Sequence, residues 1–333
     1  VDLVKALSDD FGIAWLGLGI DPFHEVEDIP VMPKERYDIM RRYLPTRGGL
    51  ALAMMHATAT VQANFDYADE PDMIEKMRVA LRATPVVSAL FANSSISGGK
   101  ENGYVSKRLM IWRDTDPDRC GLIPFVFDEE FGYERYTEWA LDVPLFFVIR
   151  DGAYHAGDGT TFRQFLDRGF DGLRPTLRDW DMHLTTLFPD VRLKRIIEVR
   201  GADTVPRAQL CALPAVWKGI LYDDTARADA AVLLGDLSPD DLDAGQLDVA
   251  KRGLRAEMGA KKVLDLAREL VGLSSAGLRR IARETGAERD EAGFLDPLYE
   301  QIERGKSPGE VIAERWHGEW GRNRERLIEA TRY

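Results

Sequence analysis

Cysteine is scarce in this 333-residue chain, which carries only Cys120 and Cys211. Two are too few for a disulfide framework, and the usage predicts a reducing compartment and a cytoplasmic protein. The five histidines (24, 56, 155, 183 and 317) are scattered, and none joins a cysteine at zinc-ligand spacing, which argues against structural zinc. Basic residues are outnumbered 56 to 44, for a net charge of −12. That balance leaves no broad basic stripe, so no nucleic-acid partner is expected and small-molecule partners are. No run approaches the roughly 20 apolar residues that a membrane helix needs. The longest stretches, such as VPLFFVI at 143–149, have the length of buried strands, so no membrane partner is expected either. The opening VDLVKALSDD has neither the basic nor the apolar region of a signal peptide. It starts without Met and partway into a helical pattern, and the expectation is that further sequence precedes it.

Common catalytic motifs are missing too. Gly305-Lys306-Ser307 has Glu300 where a P-loop needs glycine, Gly98-Gly99-Lys100 runs into Glu101, and His24-Glu25 has no second histidine one turn on. Neither G-x-S-x-G nor a strand-linked G-x-G-x-x-G occurs. Nucleophilic serine or cysteine chemistry is therefore not expected.

The patterns that are present divide the chain in two. Residues 1–222 alternate helix and strand signals, whereas 223–333 are rich in Ala, Leu, Arg and Glu at helical spacing and read as a helical layer packed on the first part. Helices are expected over 3–11, after Pro33, and from Asp69, where Met73, Met77, Ala80 and Leu81 recur at helical spacing. PVVSALFA (85–92) reads as a buried segment and SGGKENG (97–103) as a mobile one. Strands are expected over 13–20, 57–67 and 195–203. Ser238 and Ser307 read as helix N-termini, the latter with Glu310 as a capping box.

Two of these strands have chemically unusual faces. In TATVQANFDY, Thr58, Thr60, Gln62, Asn64 and Asp66 share one side, and Ala59, Val61, Ala63, Phe65 and Tyr67 share the other. An ordinary solvated face fits this pattern. So does a sheet lining a polar cavity, since the polar side carries short hydrogen-bonding groups and no Lys, Arg or Glu. In RIIEVRGAD, Glu198 and Arg200 share a face. Glu198 has the chemistry to hold a hard cation such as Mg2+, and Arg200 to grip phosphate or carboxylate bidentately; a simple ion pair between them fits equally well. Gly201 is read as letting the backbone turn away. Further cations sit in apolar surroundings: Arg108 four residues before Trp112, Lys34 and Arg36, and the group His183, Arg192, Lys194 and Arg195. In an acidic chain, such a concentration points to a focused anion site.

Eight ordered blocks then bring a family into view: MPKERYDIM (32–40), MM-x-x-T-x-T-V-Q-x-N-x-D (54–66), ALFANS (89–94), IW-x-D-T-D (111–116), LDVPLFF (141–147), TFRQF (161–165), HLTTLFP-x-V-R (183–192) and IEVRGAD (197–203). Together they resemble plant-type glutamate–cysteine ligase, over nearly the whole chain. The resemblance implies an α+β, glutamine synthetase-like fold. Its curved, mainly antiparallel sheet forms a funnel, with surrounding helices and a helical C-terminal layer. It implies that ATP phosphorylates the γ-carboxylate of glutamate and that the amine of cysteine attacks the acyl phosphate, the first step of glutathione synthesis. By position, Gln62 and Glu198 correspond to Mg2+ ligands and Arg200 to the residue that steadies phosphate. Arg36, Arg108, Thr58, Thr60 and Asn64 fall at substrate-binding positions, and Trp112 and Phe146 in the wall near the acceptor. A monomer or homodimer is implied. The departures are Ala59 where many members have cysteine, Phe146 where tyrosine is usual, and no match to an upstream acidic strand that carries further Mg2+ ligands. They leave two alternatives: a ligase of the same fold with another amine acceptor, or a catalytically silent ligand-binding relative.

Overall fold

Asp69 starts the helix on which the molecule is built. Its carboxylate accepts the Asp72 backbone N–H at 3.0 Å and caps the helix Glu70–Leu90, satisfying one of the orphan donors every helix start leaves. The computed structural model describes residues 1–333. Met73, Met77, Ala80 and Leu81 are all buried, as their spacing predicts. The helix then runs straight on through PVVSALFA with Pro85 inside it. A mid-helix proline costs about 3 kcal/mol, but Ala83 to Leu90 are buried without interruption, and that burial outweighs the local penalty.

Three short strands lie antiparallel against this helix in the order Ala63–Phe65, Ile197–Val199, Val191–Leu193. Their register sets Asn64 opposite Glu198 and Glu198 opposite Arg192. Ala63, Phe65, Ile197, Val199, Val191 and Leu193 face the core. The opposite, polar face therefore carries Asn64, Glu198 and Arg192 in one row. The remaining strands form four separate two-stranded ladders. The arrangement is α+β, and the strands do not join into one curved sheet.

Several local expectations change. Residues 13–20 form no strand, only isolated bridges from Leu16 to Arg332 and from Ile20 to Thr58. Gly19 passes so close to the chain that a Cβ there would lie 2.6 Å from the Asp203 side chain, so this segment crosses the structure instead of pairing along it. The 57–67 strand shrinks to Ala63–Phe65, because Ala51–Ala57 is a helix. Residues 97–103, expected to be mobile, begin with a hairpin. Ile96–Ser97 pairs with Lys100–Glu101 across Gly98 and Gly99, whose φ angles of 56° and 70° are those a two-residue I′ turn demands. Gly201 does not serve a turn; a Cβ there would meet the Ser88 hydroxyl at 2.5 Å.

Beyond Tyr222 the chain is almost wholly helical. Leu234, Leu242, Val249, Leu270 and Leu278 join Met77, Leu81 and Trp217 in one continuous core of 50 residues. Ser238 and Asp241 form one capping box, and the Ser307 N–H donates to Glu310 at 2.9 Å in another. No helix is long and apolar enough to cross a membrane.

His183 was grouped with the cations on sequence, and the fold corrects this. Its ring is buried against Phe162 and Trp180, and Nε2 donates to the Ala140 carbonyl at 2.8 Å. Burial pushes its pKa down to about 4, so the ring is neutral. Because the unfolded ring titrates near 6.5, the unfolded chain binds more protons below that pH, and stability falls as pH drops. Between pH 6.5 and 5 this one group should remove about 1.5 kcal/mol, the slope rising towards 1.36 kcal/mol per pH unit as the unfolded ring becomes protonated. Urea unfolding should show that loss in the wild type and a smaller one in His183→Gln; equal losses would contradict it.

Candidate active site

The polar face of the three-stranded sheet gathers charge around Glu198. Arg192 Nη2 donates to both carboxylate oxygens, at 2.9 and 2.8 Å. Arg200 Nη1 donates to Oε1, and Lys194 Nζ lies 3.4 Å from Oε2. Burial alone raises the Glu198 pKa, but Arg192 and Arg200 together hold it below the ordinary glutamate value. Desolvation and the neighbouring Arg192 in turn lower the pKa of Arg200. Three cations thus meet one carboxylate, leaving excess positive charge on a partly dry surface. That is the electrostatic condition for binding an anion.

A second cation approaches from the helix Lys107–Arg113, capped by Ser106. Arg108 is buried, and its guanidinium donates to the Arg200 carbonyl at 3.0 Å. Burial pulls its pKa down to about 10, so it stays cationic at neutral pH. Asp203, 3.8 Å away, anchors the group. Its carboxylate accepts the Asn93 N–H and the Ser94 hydroxyl, both at 2.7 Å, and the Ser106 hydroxyl at 3.1 Å. The helical spacing of Arg108 and Trp112 brings both to one small cavity shared with Phe188, Asp190, Arg200 and Gly201.

Two residues that line this cavity carry a buried donor with no acceptor, Arg108 Nε and Trp112 Nε1. Arg192 Nε, outside the cavity and 6.0 Å from the Phe188 ring by its guanidinium, lacks a partner too. A buried unmade hydrogen bond costs about 1–3 kcal/mol, so an oxygen of a water or of a ligand in this cavity, whose volume is about 10 Å3, would supply the missing acceptors. The wall is aromatic. Trp112 and Phe188 pack at 5.9 Å, and the Arg200 guanidinium lies 5.3 Å from the Trp112 ring and 5.6 Å from that of Phe188.

The other residues expected at the site fall in different places. Gln62 and Asn64 are exposed on the sheet's polar side. Thr58 spends its hydroxyl on the Met54 carbonyl at 2.8 Å, and Thr60 spends its own on Ala202 at 2.7 Å. Phe146 is buried beneath Arg119, whose guanidinium lies 3.8 Å from the ring, so Phe188 takes the wall position beside Trp112. Arg36 has a buried Nε without a partner and lies over Tyr37 at 5.7 Å; no ion pair or hydrogen bond joins it to the Arg108–Arg200 group. Phe188 was not legible in the sequence beyond its place in the TTLFP block, and Arg192 was legible only as one of the cations of a focused anion site.

The donor set at Gln62 and Glu198 does not suit Mg2+. No three His, Cys, Asp or Glu side chains converge anywhere in the structure, and both Glu198 oxygens are taken up by cations. A dication would have to displace them. The residues present do not make a Mg2+ centre.

Comparison with known proteins agrees with the blocks read above. The sequence model of the family described as Glutamate-cysteine ligase family 2 (GCS2) matches residues 1–330. The chain is 44% identical to "Glutamate–cysteine ligase, chloroplastic" of Solanum lycopersicum, over 99% of this chain and 62% of the relative. It is also 44% identical to the proteins of that name from Brassica juncea and Arabidopsis thaliana, covering 99% of this chain and 64% and 63% of theirs. The chain therefore spans less than two thirds of the length of these relatives. Their names also correct the expected location: the relatives are named chloroplastic, which contradicts the cytoplasmic reading drawn from cysteine usage.

If Glu198 is what keeps the arginines in place, Glu198→Ala leaves three cations facing one another. Breaking a buried pair from one side costs about 3 kcal/mol or more. Urea unfolding should register that loss, and adding Arg192→Met to the variant should recover part of it. A Glu198→Ala protein as stable as wild type would show that the cluster is structurally idle.

Proposed function

Because the chain belongs to the Glutamate-cysteine ligase family 2, we propose that it joins the γ-carboxylate of glutamate to the amine of cysteine, using ATP and passing through γ-glutamyl phosphate. The glutamate carboxylate oxygen attacks the γ-phosphorus of ATP and ADP leaves. The cysteine nitrogen then attacks the acyl carbon, and phosphate departs as γ-glutamylcysteine forms. The observation that carries this reading is the pair of buried, partnerless donors on Arg108 and Trp112 beside Arg200, which shares Glu198 with Arg192.

In this reading each residue does what its position favours. Arg200 and Arg192 face the transferring phosphoryl group, where catalysis consists mainly of positioning and neutralising charge. Glu198 holds both guanidinium planes ready, so little reorganisation accompanies the reaction. Arg108, stiffened by Asp203, binds a carboxylate of glutamate. Trp112 and Phe188 form the side against which the acceptor's thiol rests. Mg2+ enters only as the counter-ion of the nucleotide and has no assigned place at Glu198. The expected funnel, in which the polar sheet face forms the inner surface, belongs to this proposal as well.

The test is phosphate release from ATP with glutamate and a panel of amines. Release should require glutamate and be fastest with cysteine. Preference over serine should be about 10- to 200-fold, the range that apolar contacts of this size give. Arg200→Lys should lose most of the rate, because a point charge cannot reproduce a bidentate grip, and Trp112→Ala should raise KM for the acceptor more than for glutamate. ATP turnover that ignores glutamate would overturn the reading; a better acceptor than cysteine would keep the ligase class and remove cysteine from it.

A further inference from the structure

The helix Pro239–Arg252 of the C-terminal layer buries Leu242, Gly245, Val249 and Ala250, and among them one polar side chain, Gln246. A buried amide is costly without partners, and Gln246 finds one at each end of its amide. Its Oε1 accepts from Arg113 Nη1 at 3.2 Å, and its Nε2 donates to Asp190 Oδ2 at 2.8 Å. Arg113 is itself clamped by Asp243 through two bonds of 2.7 and 2.8 Å. Because a guanidinium can only donate, the amide oxygen faces Arg113 and the amide nitrogen is left for Asp190.

This chain of contacts aims Asp190 at the candidate active site. Asp190 lines the small cavity with Arg108, Trp112, Phe188 and Arg200. Its backbone is fixed on both sides: the N–H donates to the Gly121 carbonyl at 3.0 Å, and the carbonyl accepts the Arg200 N–H at 3.1 Å. Gln246 holds Oδ2, which leaves Oδ1 to accept from a ligand. Asp190, Trp112 and Phe188 each keep part of their surface exposed, so the cavity opens outwards. Its volume of about 10 Å3 is that of one water or one amine nitrogen. Burial raises the Asp190 pKa above the ordinary aspartate value, against the opposing effects of Gln246, Arg113, Arg108 and Arg200.

At neutral pH the amine of an amino acid is mostly protonated, and its nitrogen must shed a proton before it can attack an acyl phosphate. We propose that Asp190 is the carboxylate that receives the acceptor's ammonium group and takes its proton, held in position by Gln246 and Arg113. One N–H proton passes to Asp190, and the neutral nitrogen forms the C–N bond to the acyl carbon. The C–O bond to phosphate then breaks, the second nitrogen proton leaves with phosphate, and Asp190 returns its own proton to water. Arg108 and Arg200 assist, because positive charge nearby disfavours an ammonium. The inference rests on the ligase reading above and adds the group that activates its nucleophile.

The experiment offers the full chain two acceptors: cysteine, and hydroxylamine, a nucleophile already uncharged at neutral pH. Formation of γ-glutamylcysteine and of γ-glutamyl hydroxamate is followed in wild type, Asp190→Asn and Gln246→Leu. A positioned proton acceptor contributes about 100- to 10,000-fold, so Asp190→Asn should lose at least about 100-fold in kcat with cysteine and no more than about threefold with hydroxylamine. Gln246→Leu leaves the carboxylate in place and should lose about tenfold with cysteine, again with hydroxylamine nearly unaffected. Equal losses with the two acceptors, or full cysteine turnover in Asp190→Asn, would overturn the role of Asp190 and leave the ligase reading intact. A wild type that forms neither product would overturn both.

Discussion

Glu198 sits buried on the polar face of a three-stranded sheet, and the fold tolerates it only because Arg192 and Arg200 meet it there. A lone buried carboxylate costs several kcal/mol, and so do two guanidinium groups facing each other without one. Each therefore requires the other two. The cross-strand register that sets Arg192 opposite Glu198 is fixed by the reverse face, where Val191, Leu193, Ile197 and Val199 pack on the central helix. A slip of one residue would turn those apolar side chains to the polar side and bury the charges in the core. Core packing and site electrostatics are thus two faces of the same three strands.

The Arg108–Asp203 pair repeats this logic at the next level. Asp203 is buried, and its desolvation, opposed by Arg108, leaves its pKa above the usual aspartate value. Its carboxylate accepts hydrogen bonds from Asn93, Ser94 and Ser106, which links the end of the central helix to the start of the helix carrying Arg108 and Trp112. The cation is therefore placed by a hydrogen-bonded network, while its own Nε, like Asn93 Oδ1, has no partner. Rigid surroundings with partnerless donors in their midst are what a binding site needs: the geometry is set before the ligand arrives, and the ligand completes the hydrogen bonding.

Much of this was legible in the residues. Alternation in ANF and IEV correctly put Asn64 and Glu198 on one face, and helical spacing correctly joined Arg108 to Trp112. The open question at Glu198, cation ligand or ion pair, could not be resolved along one strand, because the deciding partner, Arg192, lies on the neighbouring strand. Phe188 escaped notice for a similar reason: its place beside Trp112 is tertiary. The burial of PVVSALFA was legible too, and that burial carries the helix through Pro85 against its propensity. Composition misled at His183, which counts as a cation in a list of residue types and is neutral between Phe162 and Trp180. Alternation gave each strand a face but said nothing of how many strands share it; three do, with Ile197–Val199 in the middle.

The central claim is that the Arg192–Glu198–Arg200 group, with Arg108, is a preorganised seat for a phosphoryl or carboxylate anion. Calorimetric titration of the chain with inorganic phosphate at low ionic strength tests it without any assumption about turnover, with Arg200→Met as the comparison and circular dichroism as the check on folding. The account predicts saturable 1:1 binding by the wild type, weakened at least tenfold in Arg200→Met and screened by added salt as charge–charge binding must be. Equal binding by the two folded proteins, or none by the wild type, would contradict it.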